Sequence, residues 1–299
     1  MKKIVVLGST NTDMVIAGKK IPVPGETVSG GKFLMNPGGK GANQAVAVAR
    51  LSAKRGSCTF IAKVGDDLFG RDSAVRMRKD GIDARLIVDR NEPSGTALIL
   101  VDPRGQNVIS VALGANGTLS PRDIAPYRRD IETAAALLMQ LETPIDTVVT
   151  AARWAHAVGV PVVLNPAPAA KLPAGLYKYL DWITPNETEA ELLTGVKVTD
   201  AKSASKAVDV FLKRGVRHVA ITMGAKGVYC GNCRKLYPAK RVKAVDCVAA
   251  GDTFNGAFVV ALAEGKCCKD SIAFAQKASA ISVTRPGAQS SVPFRKEVK

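Results

Sequence analysis

The stretch Asp246-Cys247-Val248-Ala249-Ala250-Gly251-Asp252 runs into Thr253-Phe254-Asn255-Gly256, and Phe254, Phe258 and Leu262 follow at i, i+4 and i+8. That spacing is one face of a helix, so Ala250-Gly251-Asp252 stand at a helix start. Backbone N–H groups there lack partners within the helix, and the macrodipole adds partial positive charge. Small residues let an anion approach those N–H groups. One reading makes Asp252 a plain N-cap. The other gives it chemistry. The N–H groups of Ala249, Ala250, Gly251 and Asp252 hold a phosphoryl group in transfer, and the Asp252 carboxylate takes a proton from the attacking hydroxyl.

A second glycine cluster, Gly38-Gly39-Lys40-Gly41-Ala42-Asn43, opens an alanine-rich helix. It is not G-x-x-x-x-G-K-[ST], and it is not G-x-G-x-x-G after the first strand. It reads as a flexible turn, or as a close backbone approach to a ligand with Lys40 and Asn43 donating. Ser9-Thr10-Asn11-Thr12-Asp13 follows the first strand at its carboxyl end, where open α/β sheets bind ligands. Asn11 and Asp13 suit sugar hydroxyls there; a polar turn is the alternative. Asn186-Glu187-Thr188-Glu189 has the spacing of a capping box. Thr222-Met223-Gly224-Ala225-Lys226-Gly227 ends a strand and reads as a glycine turn.

These residues need elements to position them. Short apolar strands are expected at 3–7, 59–64, 160–164, 182–184 and 219–223. Helices are expected at 42–52, 70–80, 144–158, 187–194, 201–214, 252–264 and 270–283. Such alternation argues a mostly parallel sheet covered on both faces, an α/β three-layer sandwich. Two segments break the rhythm, 17–35 and 96–113, and both look like β-hairpin material outside that sheet. The second carries Asp102-Pro103-Arg104-Gly105, with Pro and Gly where a type I turn wants them. They read as a small β-lid over a cleft, about 14–37 and 95–113, or as ordinary edge hairpins. The whole chain, 1–299, reads as a single domain.

Composition narrows the classes. Of 299 residues, 46% are hydrophobic and 23% charged, which excludes a disordered chain. No apolar run reaches the length of a membrane span. The start, Met1-Lys2-Lys3 before 4–7, reads as a buried strand rather than an export signal, so a cytoplasmic protein with reduced cysteines is expected. Net charge is +16, but the basic residues are scattered and aromatics are only 5%, which argues a solvated basic surface over a nucleic-acid platform. An anionic small substrate also suits that field. The two histidines, His156 and His218, are too few for a Ser-His-Asp triad or a multi-His zinc site. Cys230-Gly231-Asn232-Cys233 has metal-ligand spacing, but Cys267-Cys268 are adjacent and supply no second pair. Gly231-Asn232 between Val228-Tyr229 and Leu236-Tyr237 reads better as a hairpin turn.

Together, Gly38–Asn43 and Ala249–Gly256 resemble the two signatures of the ribokinase-like sugar kinases. Asn186–Glu189 and Thr222–Gly227 are similar to that family's nucleotide-side motifs, in the right order. Gly8-Ser9-Thr10-Asn11-Thr12-Asp13, Met139-Gln140-Leu141-Glu142 and Leu164-Asn165-Pro166-Ala167-Pro168-Ala169 extend the match over essentially the whole chain. The resemblance implies ATP-dependent phosphorylation of D-ribose at its 5-hydroxyl. It implies Asp252 as general base and an anion hole at Ala249, Ala250, Gly251 and Asp252. Asn11, Asp13, Gly39, Lys40, Asn43 and Glu142 would hold the sugar. Asn186 and Glu189 would face Mg-ATP, Glu189 through water, with Thr222, Gly224 and Gly227 lining the nucleotide and Gln276 near the adenine. Asp246, Val248, Ser282, Arg285, Gly287 and Ser291 would surround an activating potassium ion, several through backbone oxygens. A homodimer through the lid strands is implied as well. Val248 and Gln276 depart from the family's commonest residues. A kinase for deoxyribose or another free sugar is the near alternative, and a non-catalytic binding protein using its basic surface the distant one.

Overall fold

A computed structural model describes residues 2–299. Among these described residues, thirteen strands and nine α-helices build two sheets and their cover. In chain order they are β1 Ile4–Leu7, β2 Asn11–Ala17, β3 Lys32–Gly38, α1 Lys40–Leu51, β4 Cys58–Gly65, α2 Leu68–Lys79, β5 Asp83–Asp89, β6 Gly95–Val101 and β7 Asn107–Ala112. The short α3 Pro121–Ile124 and α4 Arg128–Glu132 follow, then β8 Ala136–Met139, α5 Ile145–Ala157, β9 Val162–Leu164, β10 Trp182–Ile183, α6 Glu187–Thr194 and α7 Ala201–Lys213. The chain closes with β11 His218–Thr222, β12 Val228–Cys230, β13 Lys235–Tyr237, α8 Ala250–Ala263 and α9 Cys268–Ser282.

The large sheet has the order β13-β12-β11-β10-β9-β8-β1-β4-β5. Its strands are parallel from β11 through β5, and β12 and β13 add an antiparallel edge. Strand β1 lies inside it and is fully buried. Its alternation splits the core, as a period of two requires. Val5 and Leu7 join the apolar cluster of α5, α6 and α7. Ile4 and Val6 join that of α1, α8 and α9. The α/β three-layer expectation therefore holds.

The second sheet, β3-β2-β6-β7, is built from the two segments that break the rhythm. Residues 17–35, however, do not form a hairpin of their own. Strand β2 begins at Asn11 and pairs antiparallel with β3, and residues 18–31 are the loop between them. The polar Ser9–Asp13 turn is thus mostly strand. Strand β2 is parallel to β6, and β6 turns into β7 through Asp102–Gly105, where the Gly105 N–H donates to the Asp102 carbonyl at 3.0 Å. Strand β5 escaped the sequence pattern because Asp83–Asp89 is a half-buried edge. The β12–β13 turn holds four residues, not two, with Arg234 left-handed at φ 49°. No helix among the described residues is long and apolar enough to cross a membrane.

Candidate active site

The site lies where α1 and α8 begin, at the carboxyl ends of the parallel strands. Helix α8 is apolar on nearly every side and buried from Asp252 to Ala261. It crosses α1 closely because Gly256 has no side chain: a Cβ there would clash with the Ala47 methyl and the Gln44 carbonyl. That approach brings the first turn of α1 to the first turn of α8. Asn43 Nδ2 donates to Asp252 Oδ2 at 3.0 Å, and Gln44 Nε2 donates to Oδ1 at 2.9 Å. Gln44 is completely buried and also accepts from Gln140 Nε2 at 2.5 Å. Asp252 is 7% exposed, and burial pushes its carboxyl above the usual range against the pull of the Lys40 ammonium and the two amides.

The start of α8 is shaped for an anion. Ala249 is left-handed, φ 59°, a conformation L-residues adopt rarely. Gly251 is exposed, and nothing lies within 4 Å of where its Cβ would sit. Among the described residues, no backbone acceptor takes the N–H groups of Ala249, Gly251 and Asp252. That of Ala250 differs from expectation, since it donates to the Cys247 carbonyl at 3.2 Å. Asp252 is not the N-cap; Ala249 is, and no side chain caps this helix. The plain-cap alternative therefore falls away.

Facing Asp252 are the polar groups of β2 and the loop after β8. Glu142 Oε2 accepts from Ser9 Oγ at 2.5 Å and from the Lys40 N–H at 2.9 Å, which ties the glycine cluster to β1. Gly39, φ 87°, lies against the backbone of Thr10 and Asn11, where any Cβ would collide. Asn11 Oδ1 accepts from the fully buried Asn116 at 2.8 Å. Asp13 reaches across to Gly38, whose missing Cβ leaves room for its carboxylate. Burial, and then the Glu142 charge, raise the Asp13 carboxyl to about 6. Asn43 Oδ1 is buried and has no partner among the described residues, an acceptor open to a donor such as a hydroxyl.

A third group lines the other side of Asp252. Asn186 caps α6, and Glu189 completes the box: its N–H donates to Asn186 Oδ1 at 2.8 Å and its Oε2 accepts from the Asn186 N–H at 2.9 Å. Burial raises the Glu189 carboxyl, and the nearby Asp252 charge adds to it. Asn186 bridges Thr222 across the sheet end. Gly227, φ 115°, packs on the Tyr237 carbonyl, which also accepts from Gln276 Nε2 at 2.9 Å. Thr222, Gly224, Gly227 and Gln276 therefore share one wall.

Behind the α8 start, Asp246 Oδ1 accepts from the Val248 N–H and Oδ2 from the Gly287 N–H, both at 2.9 Å. Ser282 Oγ and Ser291 Oγ lie 2.8 Å apart, and Thr253 Oγ1 donates to Ser282. The carbonyls of Val248, Arg285 and Gly287 accept no backbone hydrogen bond. These carbonyls, hydroxyls and one carboxylate are all oxygen donors, the class of ligand that hard cations take.

A buried, amide-anchored carboxylate beside an open helix N-terminus can deprotonate a hydroxyl as a phosphoryl group arrives. Gln44, Gln140 and Asn116 were not singled out from the sequence as site residues. The one available signal was a polar Gln44 in an otherwise small, apolar helix face. His156 packs on Tyr179 at the surface and His218 on Trp182, so neither enters the site.

Residues 1–295 match the family model described as pfkB family carbohydrate kinase. The chain belongs to this family. Among curated PfkB relatives, a ribokinase of Haemophilus influenzae is 48% identical over 299 residues, covering 99% of this chain and 97% of that one. A deoxyribokinase of Salmonella typhi is 35% identical over 296 residues, covering 97% and 95%. Among solved structures, an Arabidopsis thaliana ribokinase complexed with ribose and ATP superposes with a TM-score of 0.90 at 32% identity, covering 99% of this chain and 97% of its own.

Proposed function

We propose that this PfkB chain transfers the terminal phosphoryl group of ATP to the 5-hydroxyl of free D-ribose, giving D-ribose 5-phosphate and ADP. The observation that carries the reading is the Asp252 carboxylate, buried, held by Asn43 and Gln44, and set at the uncapped start of α8. Phosphoryl transfer asks for in-line positioning and charge stabilisation more than covalent catalysis. Asp252 takes the 5-hydroxyl proton. The free N–H groups of Ala249, Gly251 and Asp252 receive the transferring group, with Ala250 joining once its bond to Cys247 opens. Asn11, Asp13, Gly39, Lys40, Asn43 and Glu142 hold the sugar and meet its hydroxyls with buried acceptors and donors, so a missing hydroxyl leaves a group unpaired.

Asn186, Glu189, Thr222, Gly224, Gly227 and Gln276 form the nucleotide side. Magnesium supplies charge neutralisation on the phosphates. Glu189, buried and with its carboxyl raised, gains from that positive charge and would hold the ion with Asn186 through water. Asp246 and the oxygens of Val248, Ser282, Arg285, Gly287 and Ser291 would hold a potassium ion, which would supply fixed positive charge behind the anion hole. The four-stranded sheet acts as the lid, excluding water that would compete as acceptor.

The same sheet offers a surface on which two copies would pair. Strand register puts Ile16, Phe33, Met35, Leu98 and Val108 on the face opposite Asp13, and all five are exposed. An apolar patch of that kind marks an association surface. A deoxyribose kinase is the second reading, supported by the Salmonella typhi relative.

The deciding experiment is ADP release across free pentoses, hexoses, nucleosides and sugar phosphates, with and without potassium. Ribose as the best acceptor supports the first reading. Faster turnover of deoxyribose supports the second, and no release with any acceptor rejects both.

A further inference from the structure

Three cysteines that the phosphoryl-transfer site leaves unused converge at the edge of the large sheet. Cys230 ends β12, Cys233 sits in the turn to β13, and Cys268 opens α9. Their Sγ atoms all lie within 4.8 Å of one another. Cys230 and Cys268, 38 positions apart in sequence, have their sulfurs at 2.9 Å. Cys230 is buried, Cys268 is half-buried, and Cys233 is exposed and gives an entry path.

We propose that Cys230, Cys233 and Cys268 form a three-thiolate site for a thiophilic divalent cation of the zinc and cadmium class. Zinc–sulfur bonds of about 2.3 Å set the sulfurs around a tetrahedral ion about 3.8 Å apart. Opening the Cys230–Cys268 pair by about 1 Å brings it to that spacing, and no pair lies more than 4.8 Å apart. Cys268 stands in the first turn of the 15-residue α9, which fixes the place of its sulfur beside the β12–β13 turn. Cys267 is not a member; its thiol donates to Asp270 Oδ2 at 3.3 Å. The fourth position opens on the Cys233 side and takes water or a small exogenous thiol. Loading releases the thiol protons to solvent.

A Cys230–Cys268 disulfide is the competing chemistry. It needs an oxidant and two sulfurs, and it leaves the convergence of the third unexplained. The metal would staple the β12–β13 hairpin to the start of α9, while the Gln276–Tyr237 bond fastens the same hairpin further along that helix. The site stands on its own geometry and does not depend on which sugar the enzyme phosphorylates.

The test uses the untagged, reduced, metal-free full chain. Cadmium is titrated in while the sulfur-to-cadmium charge-transfer absorption is followed, and zinc affinity is read by competition with a chromophoric chelator. The expected result is one ion per chain, with a rise in melting temperature on loading. Cys233→Ser, at an exposed position, and Cys268→Ser should each weaken binding by no less than the about 10–100-fold typical of losing an outer-shell partner. Cys247→Ser, an exposed cysteine outside the cluster, should bind as the parent does. No stoichiometric binding, or full binding by folded Cys233→Ser, overturns the site. So does a reduced chain that takes up no metal but forms the Cys230–Cys268 disulfide on mild oxidation.

Discussion

Gln44 and Asp252 stand 208 positions apart in sequence, and the amide of one donates to the carboxylate of the other at 2.9 Å. The contact exists because Gly256 lets α1 and α8 touch. It holds one Asp252 oxygen while Asn43 holds the other. Asp252→Asn should lower kcat by about 10²–10⁴-fold and leave ATP affinity nearly unchanged. Gln44→Leu leaves the buried Gln140 amide and one carboxylate oxygen unpaired, and should cost about 1–3 kcal/mol of stability together with a fall in kcat. In the Asp252→Asn background the same change should have little further effect on kcat, because the two residues act as a unit. Additive losses in steady-state assays would separate them.

Asp13 makes the sugar side pH-sensitive. Its carboxyl is raised to about 6, mainly by burial and then by the Glu142 charge. As pH falls through that value the group takes up a proton and loses acceptor capacity, so kcat/KM for the sugar should decline there. Asp13→Asn should bind sugar poorly and lack this limb. The stability sign runs the other way. A folded pKa above the unfolded 3.8 means that the native state holds the proton more firmly, so this group penalises the fold as pH rises from about 4 to 6. Asp13→Asn should therefore melt higher than the parent at pH 7, with the difference closing towards pH 4. Equal melting temperatures at pH 7 would contradict the burial effect.

The oxygen cage behind α8 should distinguish alkali cations. Potassium should raise turnover over sodium by about fivefold or more, within the usual range of coupling between sites. Asp246→Ala should abolish the difference, since its carboxylate also holds the loops of Val248 and Gly287 together. Rates independent of the cation in the parent enzyme would remove the site.

The outer face of the four-stranded sheet should hold two copies together. Phe33→Glu with Leu98→Glu places charges in the middle of the exposed apolar face, and sedimentation equilibrium should find monomers where the parent is a dimer. A parent chain that is monomeric at micromolar concentration would refute this.

What the sequence made legible depended on how local the signal was. The α8 start could be read because Phe254, Phe258 and Leu262 repeat along one helix, and the Asn186–Glu189 box because its hydrogen bonds span three residues. Strand β2 was misplaced because Asn11, Thr12 and Asp13 are polar like a turn. They are buried by β3 and β6, which no local pattern reveals. Gln44, Gln140 and Asn116 matter through partners about a hundred or more positions away. The third thiol of the Cys230–Cys233 pair likewise comes from a distant helix. The engaged Ala250 N–H reflects the left-handed Ala249, a conformation the residue type gives no reason to expect.

The most direct measurement is a crystal structure with ribose and a non-hydrolysable ATP analogue bound together. An Asp252 carboxylate oxygen should lie within about 2.6–3.2 Å of the ribose 5-oxygen, with the terminal phosphorus in line beyond it and facing the Gly251 N–H. A closed complex in which that carboxylate stays out of hydrogen-bond reach of the 5-oxygen would contradict the assignment of Asp252 as the base.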